Sequence, residues 1–141
     1  MARRVAIAAL LITGIVNTLH YARLIVRGYP VAPGHPEALR DLTQAATWAD
    51  GWMGLMAIAA AVGLIRGQAW GRLCGIVAAA ALVHMGLLDV AFFAQHGMYA
   101  RIDPLMSEMI TVDLWAFFMG SFLIVHLWRE PARQTTGATQ S

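Results

Sequence analysis

Asn17, His20, Tyr21, Asp50, His84, Asp89, Glu108 and Asp113 carry ionisable, phenolic or amide groups, and each lies inside or at the edge of a long apolar run. Carboxylic acids and imidazoles in a poorly hydrated setting are suited to taking up and releasing protons, because desolvation brings both toward neutrality. His84 and Asp113 form the expected acid–base pair, with Asp89 or Asp50 orienting the histidine. Asn17, His20, Tyr21, Asp50 and Glu108 are the expected ligand contacts. No serine or cysteine stands beside a base in a way that would activate it as a nucleophile. Proton-moving chemistry of the isomerase or hydration type therefore fits better than acyl transfer.

Spacing limits how these groups can meet. Asn17, His20 and Tyr21 fall at i, i+3 and i+4, a single polar stripe on a helix. His84 and Asp89 are five residues apart, as are Glu108 and Asp113. Each such pair subtends about 140° around a helix, so one member would face a common pocket directly and the other would support from the flank. No HxxxH or HExxH spacing occurs, and no metal or other cofactor is expected. The pairs Met53/Met56 and Met106/Met109 are better read as apolar filler than as copper ligands.

The elements that must position these groups are apolar helices. Of 141 residues, 59% are hydrophobic and only 13% are charged, and mean hydropathy is +0.60. A soluble domain carries about twice that charge. Runs at 5–26, 48–65, 73–93 and 105–128 are each long enough to cross a bilayer as a helix, and no period-two alternation suggests a barrel. The expected fold is an all-α, antiparallel four-transmembrane-helix bundle, one domain over 1–134, followed by a disordered polar tail over 135–141. A charge in hydrocarbon costs about 2.5–3.5 kcal/mol on insertion scales, so acids inside such runs should face a bundle interior.

All ten basic residues are arginine. Arg3, Arg4, Arg66, Arg72, Arg129 and Arg133 fall on one side of the threaded chain, and Arg23, Arg27, Arg40 and Arg101 on the other. The second side also carries Glu37, Asp41 and Asp103. The positive-inside tendency then puts both termini in the cytoplasm. Tyr21, Tyr29, Trp48, Trp52 and Tyr99 cluster at the outer ends, with Trp70 and Trp128 at the inner ones. In this threading the acids of all the runs collect in the outer half. Asp50 and Glu108 stand near enough to run ends to reach headgroups; Asp89 and Asp113 do not.

The first run exits through His20-Tyr21-Ala22-Arg23 without a small-x-small cleavage site, and reads as a retained span. Pro36 followed by Glu37 opens a short amphipathic helix, with Leu39, Leu42 and Ala46 at helical spacing, expected in the first outer loop. Of the four-residue series Gly63, Gly67, Gly71 and Gly75, the middle two are expected in a turn and the outer two in close helix packing. The lone Cys74 excludes an intramolecular disulfide, and the arginines form no basic stripe of the kind nucleic acid requires.

The expected function is that of a small multi-pass protein of a bacterial inner membrane with an acidic and histidine-bearing pocket open to the non-cytoplasmic side. Its partners would be the lipid bilayer and a lipid-soluble or periplasmic small molecule. Two alternatives stay open: a structural or accessory subunit, in a homo-oligomer or larger membrane complex, and proton or cation handling.

Overall fold

The computed structural model describes residues 2–29, 36–100 and 102–129. They form four α-helices, α1 (Ala2–Arg27), α2 (Ala38–Ile65), α3 (Ala69–Gln95) and α4 (Pro104–Arg129), with one 3-10 turn at Met98–Ala100. All four are long and apolar enough to cross a membrane. The shortest have 26 residues. At 1.5 Å per residue they reach about 39 Å, against a hydrocarbon thickness of about 30 Å. Large apolar side chains such as Leu19, Val26, Leu73 and Phe118 are exposed on the outside of the bundle, as a hydrocarbon surround permits and water would not.

The helices contain the four apolar runs and extend beyond them. The largest extension corrects the expectation of a separate amphipathic helix in the first loop: α2 begins at Ala38 and continues unbroken to Ile65. No proline interrupts this stretch, and the Thr43 and Thr47 hydroxyls donate to the Leu39 and Thr43 carbonyls one turn back, at 2.9 and 2.7 Å. Leu39, Leu42 and Ala46 thus stand on the first turns of α2 itself. The loop prolines Pro30 and Pro33 and the tail 135–141 lie outside the described residues.

Packing follows small residues. The core is built from Leu10, Met53, Leu82, Leu123 and Leu127 with Ala57, Ala60, Ala61, Ala78, Ala79 and Ala116, all buried. Gly14 meets Gly54 and Ile58 across α1 and α2, Gly63 meets Gly71 across α2 and α3, and Gly120 meets Ala79 and Val83 across α3 and α4. These contacts run in opposite residue order, so each helix lies against its sequence neighbour head to tail. Small residues let backbones approach where dispersion, not water exclusion, holds helices together. The pairs α1–α2, α2–α3 and α3–α4 are packed extensively, whereas α1 and α4 touch only slightly. The bundle is closed along three seams and open along the fourth.

Gly71 departs from its expected place in a turn. The turn uses Gly67, at φ +70°, while Gly71 lies inside α3 against the Gly63 backbone. Helix ends are tied across the same seams. Arg3 donates to the Leu64 carbonyl at 2.5 Å and Arg72 to the Trp128 carbonyl at 3.1 Å, placing cations at the negative ends of α2 and α4. At the other end of α4, Asp103 caps the helix by accepting from the Met106 amide at 2.9 Å.

A Cβ at Gly63 would stand 2.5 Å from the Gly71 Cα, whereas one at Gly51 would meet nothing within 4 Å. Gly63→Ala and Gly71→Ala should therefore each destabilise the bundle by about 1–3 kcal/mol, the usual range for overpacking. Gly51→Ala should be neutral or stabilising by up to about 1 kcal/mol. Thermal unfolding in detergent checks the contrast.

Candidate functional site

At the end of the bundle opposite Arg3 and Arg72, the four helices part around a chamber of about 290 Å³. Residues from α1 (His20, Tyr21), α2 (Asp50), α3 (Asp89) and α4 (Glu108, Asp113) line it together. Leu39, Leu42, Thr43 and Ala46 on the extended start of α2 form an apolar wall, completed by Phe93 and by Leu105, Met109 and Val112 of α4. The unbroken α2 is what raises that wall. A separate surface helix would leave the acids without it.

The acids differ in their surroundings. Asp50 is 7% exposed and Asp113 5%. The Tyr21 hydroxyl donates to Asp50 Oδ2 at 2.6 Å, joining α1 to α2, and the His20 ring meets the Tyr21 ring edge to face with centroids 5.0 Å apart. Asp89 on α3 and Asp113 on α4 line the same chamber, as neighbouring carboxyl groups. Two carboxylates offer only acceptors, so a bond between them requires one shared proton. Asp113 Oδ2 is buried and finds no partner in the protein. Glu108 is exposed at the chamber rim.

Beside the chamber sits Tyr99, in the 3-10 turn outside the four helices. Its ring lies edge to face with Phe93 at 6.1 Å between centroids. Partial burial first, and then the negative charges of Asp113 and Asp89, push its hydroxyl above the ordinary tyrosine pKa.

Two of the expected site residues lie elsewhere. His84 is on an exposed face of α3 and does not line the chamber. The helical repeat explains this: with Asp89 turned inward, a residue five positions earlier points about 140° away. Asn17 lines a neighbouring crevice, with its amide nitrogen buried and unpartnered. That crevice, about 350 Å³, lies along the open α1–α4 seam. Across it the Trp115 indole nitrogen donates to the Thr13 hydroxyl at 3.4 Å. Trp115 is a site residue that sequence reasoning passed over, although a tryptophan in the middle of an apolar run, far from either belt, is itself a signal.

Among the described residues no three His, Cys, Asp or Glu side chains gather as a metal site would require. Cys74 lies near the start of α3, at the arginine end, away from the chamber. The arrangement can accept hydrogen bonds from a donor, attract a cation, and exchange one proton between Asp89 and Asp113. The chain matches no protein-family profile, no curated protein and no solved structure.

The Tyr21–Asp50 bond, 2.6 Å long, links two helices that carry site residues, and it should be measurable as coupling. A double-mutant cycle of Tyr21→Phe and Asp50→Ala should return about 0.6–1.7 kcal/mol, the range found for interhelical bonds in membrane bundles. Additive effects of the two changes would mean that the bond contributes nothing.

Proposed function

We propose that this chain is a multi-pass protein of a bacterial inner membrane whose chamber binds a small, lipid-soluble or periplasmic molecule and moves a proton on it. Both termini lie in the cytoplasm in this reading, and the chamber opens to the outer side. The arginine-bearing ends Arg3, Arg4, Arg66 and Arg72 support that orientation.

One observation carries the binding reading. Asp113 Oδ2 is a strong acceptor, buried, without a protein partner, on the wall of a chamber that could hold a ligand. Leaving a buried acceptor unsatisfied costs about 1–3 kcal/mol, more for a charged group. A fold that keeps such an atom in a residue lining a cavity leaves room for a donor to reach it by a small side-chain rotation. Structural polar contacts, by contrast, tend to be satisfied within the protein.

The roles follow from position. Asp113 accepts from the ligand. Asp89 shares the proton that the pair needs and passes it to or from the ligand, which replaces the expected pairing of His84 with Asp113. Tyr21 holds Asp50 against the α1–α2 wall, and His20 and Glu108 sit nearer the opening. This set supplies general acid and general base without a nucleophile, in keeping with an isomerisation or hydration-type step.

The rival role, a structural or accessory subunit, is favoured by one contact, the Tyr21–Asp50 bond between α1 and α2. The two separate at the dyad. If Asp89 and Asp113 are functional, Asp89→Asn and Asp113→Asn should leave the thermal midpoint in detergent unchanged or raised, since groups kept for function are commonly held at a cost to stability. Both variants should lose small molecules that the parent protein retains in native mass spectrometry. If the pair only fastens α3 to α4, each change should lower the midpoint, and the double variant should lose less than the sum.

A further inference from the structure

The open α1–α4 seam holds a second space of about 350 Å³, and it neighbours the chamber. The crevice is walled by Ile12, Val16, Leu82, Met85, Trp115 and Ala116. Val112 lines both it and the chamber, and the next residue on α4 is Asp113. Each space by itself is close to the lower limit of about 300 Å³ for small-molecule pockets, whereas the pair falls well inside the usual range. Their chemistry differs sharply. The chamber gathers acids, and among the described residues no arginine lines either space. The crevice is apolar apart from Asn17 and the Thr13 and Thr111 hydroxyls.

We infer that the two spaces form one bipartite site for an amphiphilic amine, with its protonated head against Asp113 and Asp89 and its aliphatic chain in the crevice between α1 and α4. This rests on the reading that the chamber binds a ligand, and it names the class of that ligand. Charge selects the head. An ammonium brings N–H donors to the unpartnered Asp113 Oδ2 and is attracted by the surrounding acids, whereas a phosphate or carboxylate head would be repelled by them. The crevice selects the tail, because a chain laid there covers apolar surface along the one seam that the helices leave unpacked. The buried amide nitrogen of Asn17, which also lines the crevice, has no acceptor in the protein. A ligand held this way passes between bilayer and chamber through the α1–α4 gap without crossing the apolar wall of α2.

Trp115 allows a direct test, since it lines the crevice and a bromine atom quenches tryptophan emission only at close range. The protein would be prepared with Trp115 as its sole tryptophan, the other positions changed to phenylalanine, in lipid nanodiscs of neutral phospholipid. The probes are 11-bromoundecylamine and 11-bromoundecanoate. The amine should quench Trp115 saturably, and at least tenfold more tightly than the carboxylate. Asp113→Asn should weaken it about tenfold. Val16→Phe, which fills the crevice from an exposed position, should do the same without lowering the thermal midpoint. If native mass spectrometry finds the amine bound and sensitive to Asp113→Asn, while Trp115 is not quenched and Val16→Phe has no effect, the chamber binds a head alone and the bipartite site is wrong. Equal, unsaturable quenching by both probes, indifferent to either variant, would report partition into lipid and overturn the bipartite site together with the ligand-binding reading.

Discussion

A carboxyl group carried into an apolar bundle must find a proton, a donor or water, and this requirement shapes the half of the molecule where Asp50, Asp89 and Asp113 lie. Asp50 is satisfied by the Tyr21 hydroxyl across a helix seam. Asp89 and Asp113 line one chamber from α3 and α4, and a hydrogen bond between two carboxyl groups requires a shared proton. Asp113 Oδ2 is buried without a hydrogen-bond partner in a residue that lines the chamber. Among the described residues, the other half of the bundle buries no carboxyl group. There alanine, glycine and leucine pack closely, and arginines reach only the carbonyl ends of helices. The protein thus divides into a packed half that supplies rigidity and an open half that holds the acids.

That division depends on how the helices are joined. Glycine contacts such as Gly63–Gly71 draw α2 and α3 to the shortest separation that backbones allow, and similar contacts fasten α1 to α2 and α3 to α4. Nothing comparable joins α1 to α4. A four-helix arrangement with all seams packed would have no crevice and no lateral path to its polar end. The open seam is therefore a consequence of where small residues stand, and it is the feature that gives the acids a neighbour capable of holding an apolar chain.

Much of this was legible in the sequence because two strong constraints act locally. Apolar runs longer than about 18 residues announce spanning helices, and alternate threading brings Tyr21, Asp50, Asp89, Glu108 and Asp113 to one end whatever the details of packing. Rotation about the helix axes was not legible. The five-residue spacing required one of His84 and Asp89 to turn away, but nothing local said which, and the α3 glycine face at Gly71, Gly75 and Gly86 decided it by packing inward. The continuity of α2 was hidden for a different reason. Arg40, Asp41 and Gln44 lower the hydropathy of its first turns, so a polarity change within one helix resembled a break between two. The crevice depends on which seam stays open, a property of side chains distant in sequence, and Trp115 was its one local trace.

The central claim is that the acids of α2, α3 and α4 share a chamber open to the outer aqueous side, and chemical accessibility addresses it most directly. With Cys74 replaced by alanine, single cysteines at positions 50, 89 and 113 would be treated in intact cells with a membrane-impermeant maleimide, beside controls at His84, on the exposed face of α3, and Ala60, which is fully buried. Reaction at 50, 89 and 113 with protection at 84 and 60 is the result this account requires. Protection at all of the acid positions, equal to that at Ala60, would mean a sealed core in which the carboxyls only hold helices together.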